Sequence, residues 1–266
     1  MNTQWTPVGE APATDLGAVS RVAAVLAGAG AVIGLVLGLP LGMFWLAVPF
    51  ALAGWWTARS LRNGAFARAV AQLETRASSD DSEARVLNVV DGLCVVSGDR
   101  RPRVEVVSSD WPVALAVAGP GEESRIVVSD GFVAVMDRVE TEAVMAHLLW
   151  RIRSGNAEFT TWYMAFHALM SRIGLAPFAA RFAGVSSSES VQVWADLASC
   201  QATRYPPALV SALEKCRVPF IGTAVLEPLW FAVPEAGGAA SATSALHSLG
   251  LAHSSLDERI SILKEI

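Results

Sequence analysis

The stretch Asp137-Arg138-Val139-Glu140-Thr141-Glu142-Ala143-Val144-Met145-Ala146-His147-Leu148-Leu149-Trp150-Arg151 decides how the rest of the chain is read. Asp137 followed three residues later by Glu140 has the form of a capping box. From there Val139, Ala143, Ala146, Leu149 and Trp150 recur at helical spacing until Gly155-Asn156 stops the pattern. The spacing predicts a helix that carries His147 and, one turn further, Arg151.

Upstream of this helix lie short runs rich in β-branched and small apolar residues: Val104 to Val107, Ala114 to Ala118 and Ile126 to Val128. Gly119-Pro120-Gly121 supplies a turn between the last two. Before them, Ala84, Leu87, Val90, Leu93 and Cys94 mark a helix that ends at Gly98. Downstream, helices are predicted over Ser188 to Thr203, Pro206 to Cys216 and Leu256 to Ile266, with a loop of small residues from Glu235 to Ala245. Phe159 to Met170 is apolar but too short to span a bilayer, and suits either the membrane interface or the core.

Of the 266 residues, 53% are hydrophobic and only 17% charged, against about 25% charged in ordinary soluble chains. The excess of apolar residues sits near the start. Between Arg21 and Arg59 there are 37 residues without a charge, with Pro40 at the middle of Gly38-Leu39-Pro40-Leu41-Gly42. A single crossing takes about 20 residues, so the segment reads as a transmembrane hairpin, Val22 to Leu39 and Leu41 to Ala58. Trp45, Trp55 and Trp56 suit the interfaces, and Arg21, Arg59, Arg62 and Arg68 put both ends in the cytoplasm. The domain organisation expected is a tail over 1–21, the hairpin over 22–58, a juxtamembrane helix and linker over 59–81 and a globular domain over 82–266. Leu61 to Arg76 forms the juxtamembrane helix, and Ser78-Ser79-Asp80-Asp81-Ser82 the break. A net charge of −5 argues against nucleic acid as a partner. Cys94, Cys200 and Cys216 show no metal or disulfide spacing, and Cys94 and Cys200, on apolar helical faces, read as inert core thiols.

Four segments in order resemble the HtpX-like family of membrane-bound zinc metallopeptidases, relatives of the CAAX prenyl endopeptidases. They are Arg101-Pro102-Arg103-Val104-Glu105-Val106-Val107 with Ala114-Leu115-Ala116; Ile126 to Phe132 running into Val139 to His147; Gln192-Val193-Trp194-Ala195-Asp196; and His253-Ser254-Ser255-Leu256-Asp257-Glu258-Arg259-Ile260. The resemblance implies an α+β, zincin-like domain, mostly helical with a small sheet, behind the membrane hairpin. It also implies that Arg125, Ile126, Val127, Val128 and Ser129 form a peptide-binding edge strand.

In that family the helix carries His-Glu-x-x-His, whose histidines hold zinc while the glutamate polarises the bound water. The aligned residues here are His147-Leu148-Leu149-Trp150-Arg151. The base position is Leu148, the second ligand position is Arg151, and the family's third ligand, a glutamate, falls on neutral Gln192. The expectation is therefore a relic cleft of His147, Arg151, Gln192, Asp196 and His253 with no intact catalytic residue and no resident metal. His147 is the weak candidate ligand, and zinc is expected only if His147, Glu189, Asp196 and His253 rebuild a site. Asp196 requires a counter-charge once buried. Arg151 is expected to supply it, unless it points to solvent from the helix end.

The function expected is that of a catalytically inactive pseudopeptidase in the plasma or inner membrane, its globular domain cytoplasmic. It would bind or regulate a peptide or another membrane protein, an active paralogue among them. The alternative is an active zinc-dependent membrane endopeptidase with a rearranged site.

Overall fold

Pro40 ends the first apolar helix where its missing donor dictates. The computed structural model describes residues 17–78, 83–121, 124–175, 177, 190–217, 224–232 and 255–266. Glu189, His247, His253 and the loop from Glu235 to Ala245 lie outside the described residues. Helix α1 (Gly17–Gly38) gives way to a 3-10 turn, Leu39–Leu41, and Gly42 reverses the chain at φ +68°. A second 3-10 turn, Phe44–Leu46, leads into α2 (Ala47–Ala71).

The two helices run antiparallel at the closest approach that backbones permit. A Cβ at Gly30 would sit 2.2 Å from the Phe50 carbonyl oxygen, one at Gly34 2.5 Å from that of Leu46, and one at Gly54 2.3 Å from that of Leu26. Small residues at such spacing let helices pack by dispersion alone, which is what association in lipid requires. Among the described residues, Val19–Gly38 is the one helix long and apolar enough to cross a membrane. Helix α2 continues past Arg59 and Arg62 without a break, so the expected juxtamembrane helix is its second half. Past Arg59 no proline interrupts it, and Gly64 does not suffice to stop it. The chain is extended rather than helical by Thr75, because β1 (Thr75–Ala77) pairs with the sheet.

After α3 (Ala84–Ser97) come β2 (Arg103–Val107), β3 (Ala114–Ala118) and β4 (Ser124–Ser129). The sheet order is β1-β2-β4-β3. β4 pairs antiparallel with β3, Leu115 opposite Val127, and parallel with β2, Val104 opposite Ile126. The expected edge strand Arg125 to Ser129 is thus an internal strand. The turn at Gly119–Gly121 folds β3 onto one side of it, and β2 takes the other. Ile126, Val127 and Val128 are all buried, an uninterrupted apolar run of the kind found in strands covered on both faces.

The short helix α4 (Asp130–Val135) follows, capped by Ser129, and then α5 (Arg138–Arg153), α6 (Asn156–Arg172), α7 (Ser190–Thr203), α8 (Pro206–Lys215) and α9 (Leu256–Lys264). Val106, Ala116, Ile126 and Val128 turn to the α3 and α5 side with Val90, Met145 and Leu148. Leu115, Val117 and Val127 turn to the other side, against Phe66 and Ala69 of α2 and Leu229 and Trp230. Alternation along each strand therefore places the sheet between the long α5 helix and the base of α2. Phe159 to Met170, left open between interface and core by the sequence, packs Phe159, Trp162, Tyr163 and Phe166 against Val22 of α1 and Leu61 of α2. It joins α1 and α2 to the domain.

The glycine contacts predict that Gly34→Val separates α1 from α2. Detergent-solubilised protein should unfold about 5 °C or more below the parent by intrinsic fluorescence, the scale of a 1 to 3 kcal/mol overpacking cost in a chain of this size. Gly28→Ala, where a Cβ meets nothing within 4 Å, should leave the midpoint in place.

Candidate functional site

The capping box forms as the sequence predicts: the Asp137 carboxylate accepts from the Glu140 backbone N–H at 2.8 Å, and Glu140 accepts from that of Asp137 at 2.7 Å. Glu140 also accepts from Ser211 and Lys215 at 2.6 Å, which pins the start of α5 to α8. Ser199 Oγ donates to the Ala143 carbonyl at 2.6 Å and holds α7 alongside. With α5 fixed on both sides, His147, Leu148 and Arg151 all point inward, none more than 2% exposed.

Each of the three meets a different environment. His147 Nδ1 lies 2.9 Å from Asp196 Oδ1, and the ring stands edge-on to Phe231 at 5.0 Å. Burial pushes its imidazole down to about 4, with Asp196 opposing and the charges of Arg259 and Arg151 adding to the fall. The ring is therefore neutral at pH 7. A proton on Nδ1, shared with the carboxylate, leaves a bare lone pair on Nε2, which is buried with no hydrogen-bond partner among the described residues. Leu148 packs in the main core with Val90, Met145 and Ile126. Arg151 is the third case. Its Nε donates to Asn156 Oδ1 at 2.9 Å, Nη1 to the Leu229 and Trp230 carbonyls at 3.1 and 3.2 Å, and Nη2 to the Pro228 carbonyl at 2.9 Å.

The counter-charge of Asp196 is Arg259, and this corrects the expected Arg151–Asp196 pair. Arg259 Nε and Nη2 bind the two carboxylate oxygens at 2.7 Å each, a bidentate fork, and Nη1 donates to the Phe231 carbonyl at 2.8 Å. Burial alone would raise the Asp196 carboxyl, but the charge of Arg259 and the hydrogen bonds from Arg259 and His147 outweigh it and hold it low. Arg151 is likewise not at the solvent-facing end of its helix. Burial and the nearby Arg259 lower its guanidinium to about 10, still charged at pH 7. Arg259 and Asn156 are the residues that sequence reasoning assigned no role. The signal for Arg259 was present, in the Glu258-Arg259-Ile260 segment and in Asp196's need of a partner.

Gln192 is buried one turn before Asp196 on α7, and its Oε1 has no partner among the described residues. His253 lies outside the described residues, as does Glu189. The expected peptide-binding residues Arg125 to Ser129 sit in mid-sheet, with Arg125 bound to Glu105. The edge strands are β1 and β3; β3 is buried along its length and partly paired on its outer side, where Leu115 bridges Trp230 and the Phe231 N–H donates to the Ala114 carbonyl at 2.8 Å.

No family model matches the chain. Over 213 residues it is 26% identical to the Protease HtpX homolog of Dictyoglomus turgidum, covering 67% of this chain and 68% of that protein. It is 28% identical over 218 residues to the homolog of Tropheryma whipplei, covering 68% and 72%, and 26% identical over 176 residues to that of Streptococcus agalactiae, covering 53% and 60%. The chain is HtpX-like. In this HtpX-like chain His147, expected at the place of the family's first zinc ligand, is oriented by a carboxylate, as zinc-binding histidines commonly are. The described residues nevertheless do not fit the ion. Leu148 and Arg151 offer no lone pair, Gln192 no charge, and the two buried guanidinium groups outnumber the one carboxylate.

Two outcomes follow from this geometry. Arg151→Met strands three carbonyls and should lower unfolding stability by about 3 to 5 kcal/mol in thermal or urea titrations, with Arg151→Lys recovering only part. The His147 imidazole is lowered from 6.5 to about 4, so the folded state binds fewer protons than the unfolded one across that interval, and stability falls as pH drops through it. The loss amounts to roughly 3 kcal/mol by about pH 4. His147→Gln, which can still donate to Asp196, should flatten that pH profile.

Proposed function

We propose that this HtpX-like protein is a membrane-anchored pseudopeptidase, which works by binding a peptide or another membrane protein rather than by cleaving one. Helix α2 crosses back beside α1, and the globular domain lies on the cytoplasmic side. The glycine-mediated pairing of α1 and α2 supports the return crossing, and the arginines at 59, 62 and 68 support the orientation.

The observation that carries the loss of catalysis is the engagement of Arg151. A residue at the place of the second zinc ligand spends four of its five N–H donors on the chain's own backbone and on Asn156, and so fills the space of a coordination sphere. Leu148, at the place of the general base, fills core volume beside it. A metalloprotease needs a polarised water between metal and base, and neither holder is at hand. What remains is a scaffold in which the old ligand helix, Asp196 and the C-terminal helix are locked together, suited to recognition by a partner. An active paralogue is one such partner, through assembly of related membrane subunits.

A second reading, an active zinc endopeptidase with a rearranged site, draws on the orphaned Nε2 of His147. Elemental mass spectrometry of the detergent-purified full chain separates the two. Substoichiometric zinc and no chelator-sensitive cleavage of casein is the expected outcome; one zinc per chain with cleavage abolished by o-phenanthroline would overturn the pseudopeptidase. In the same experiment Arg151→His with Gln192→Glu should gain zinc, because His147 already presents its lone pair.

A further inference from the structure

A groove of about 510 Å³ runs between the second half of α2 and α6, from Trp56 to Leu226. Its walls are apolar, with Leu61, Ala65, Met164 and Leu169 among them, and its charged lining residues are Arg68 and Arg172. No acidic side chain lines it among the described residues. Neither arginine forms an ion pair with a described residue, in contrast to Arg62, which is held by Glu158 at 3.0 Å.

The level of Arg68 relative to the bilayer can be read from the helix pairing. Leu26 faces Gly54, so the start of the apolar span near Val19 lies beside Leu61, and Val19 and Leu61 belong to one cluster. Arg68 leaves the helix two turns beyond that level, but its side chain folds back along α2, and Nη2 comes within 3.5 Å of the Ser60 carbonyl. The guanidinium thus stands between the levels of Ser60 and Gly64, within a turn of where the span begins. Gly64 makes this path possible. A Cβ there would lie 2.6 Å from Arg68 Nη2, so any side chain would push the guanidinium away. A glycine inside a helix otherwise costs about 1 kcal/mol, and this one gives the arginine its track. On the opposite wall Leu169 packs against the same cluster as Val22, which brings the end of α6, with Arg172, to the membrane side.

We propose that this groove is a binding site for an anionic phospholipid, its phosphate held by Arg68 and Arg172 and an acyl chain lying along the apolar wall. The occupant follows from charge and position: two arginines without acids, at headgroup level, above a wall that continues into the face of a membrane helix. Basic pockets beside membrane helices select anionic headgroups by the same chemistry. The inference rests on the membrane anchoring and is independent of whether the relic cleft is active.

Native mass spectrometry of the full chain released from detergent tests it. Phosphatidylglycerol should be retained roughly thirtyfold more tightly than phosphatidylcholine of the same chain length, the effect of two arginines near the surface. Arg68→Gln with Arg172→Gln should abolish the preference, and the paired lysine variants should keep most of it. Gly64→Ala removes no charge and should leave the unfolding midpoint equal or higher, yet cut the preference severalfold by displacing Arg68; it also guards against a double variant that fails to fold. Equal retention of the two lipids, a preference unchanged in Gly64→Ala and in the double variant, or displacement of the lipid by millimolar inorganic phosphate or glycerol phosphate would each overturn the proposal.

Discussion

Four successive carbonyls, from Pro228 to Phe231, are bound by two buried guanidinium groups, Arg151 taking the first three and Arg259 the last. Unpaired backbone groups and an uncompensated cation are each costly in an interior. This arrangement satisfies both with the same bonds. It fixes the segment along β3, supplies the hydrogen-bonding that a lone buried arginine needs, and through Arg259 ties the C-terminal helix to Asp196 and hence to His147 on α5. His147, Asp196, Arg259 and Arg151 thus form, through the 228–231 backbone, one connected polar network set in an otherwise apolar core. Networks of this kind stand or fall as units, because any missing member leaves another buried and unpaired.

Much of this fold is legible in the sequence because its strongest signals are local. The Asp137 and Glu140 capping box, the proline that ends α1 and the turn before β4 each act within a few residues, and all are where the sequence places them. The order of strands is not local. A strand pairs on one side or on two with the same residues, and only the continuous burial of Ile126 to Val128 separates an internal strand from an edge. The length of α2 was obscured for a related reason: arginines at an interface look like the end of an apolar element, yet they interrupt hydropathy without interrupting helix.

Of the candidate site, the residue types are legible in the sequence and their partners are not. Leu148 and Arg151 offer no lone pair and Gln192 no charge, whatever surrounds them. Which arginine neutralises Asp196 depends on the packing of the C-terminal helix, some sixty residues distant in sequence. Both arginines were chemically suited. Arg259 reaches the carboxylate bidentately from α9, while Arg151, on the face of α5 that looks toward β3, finds carbonyls instead.

The position of Leu148 bears on how such a chain could change. Leu148 is part of the hydrophobic core, so a glutamate introduced there buries a charge before any ion is present to use it. Restoring a histidine in place of Arg151 releases the 228–230 segment before any ligand set is complete. Each single step is therefore downhill in stability and gains nothing in chemistry, and only their combination could be rewarded. The present arrangement therefore resists any one substitution toward a zinc site.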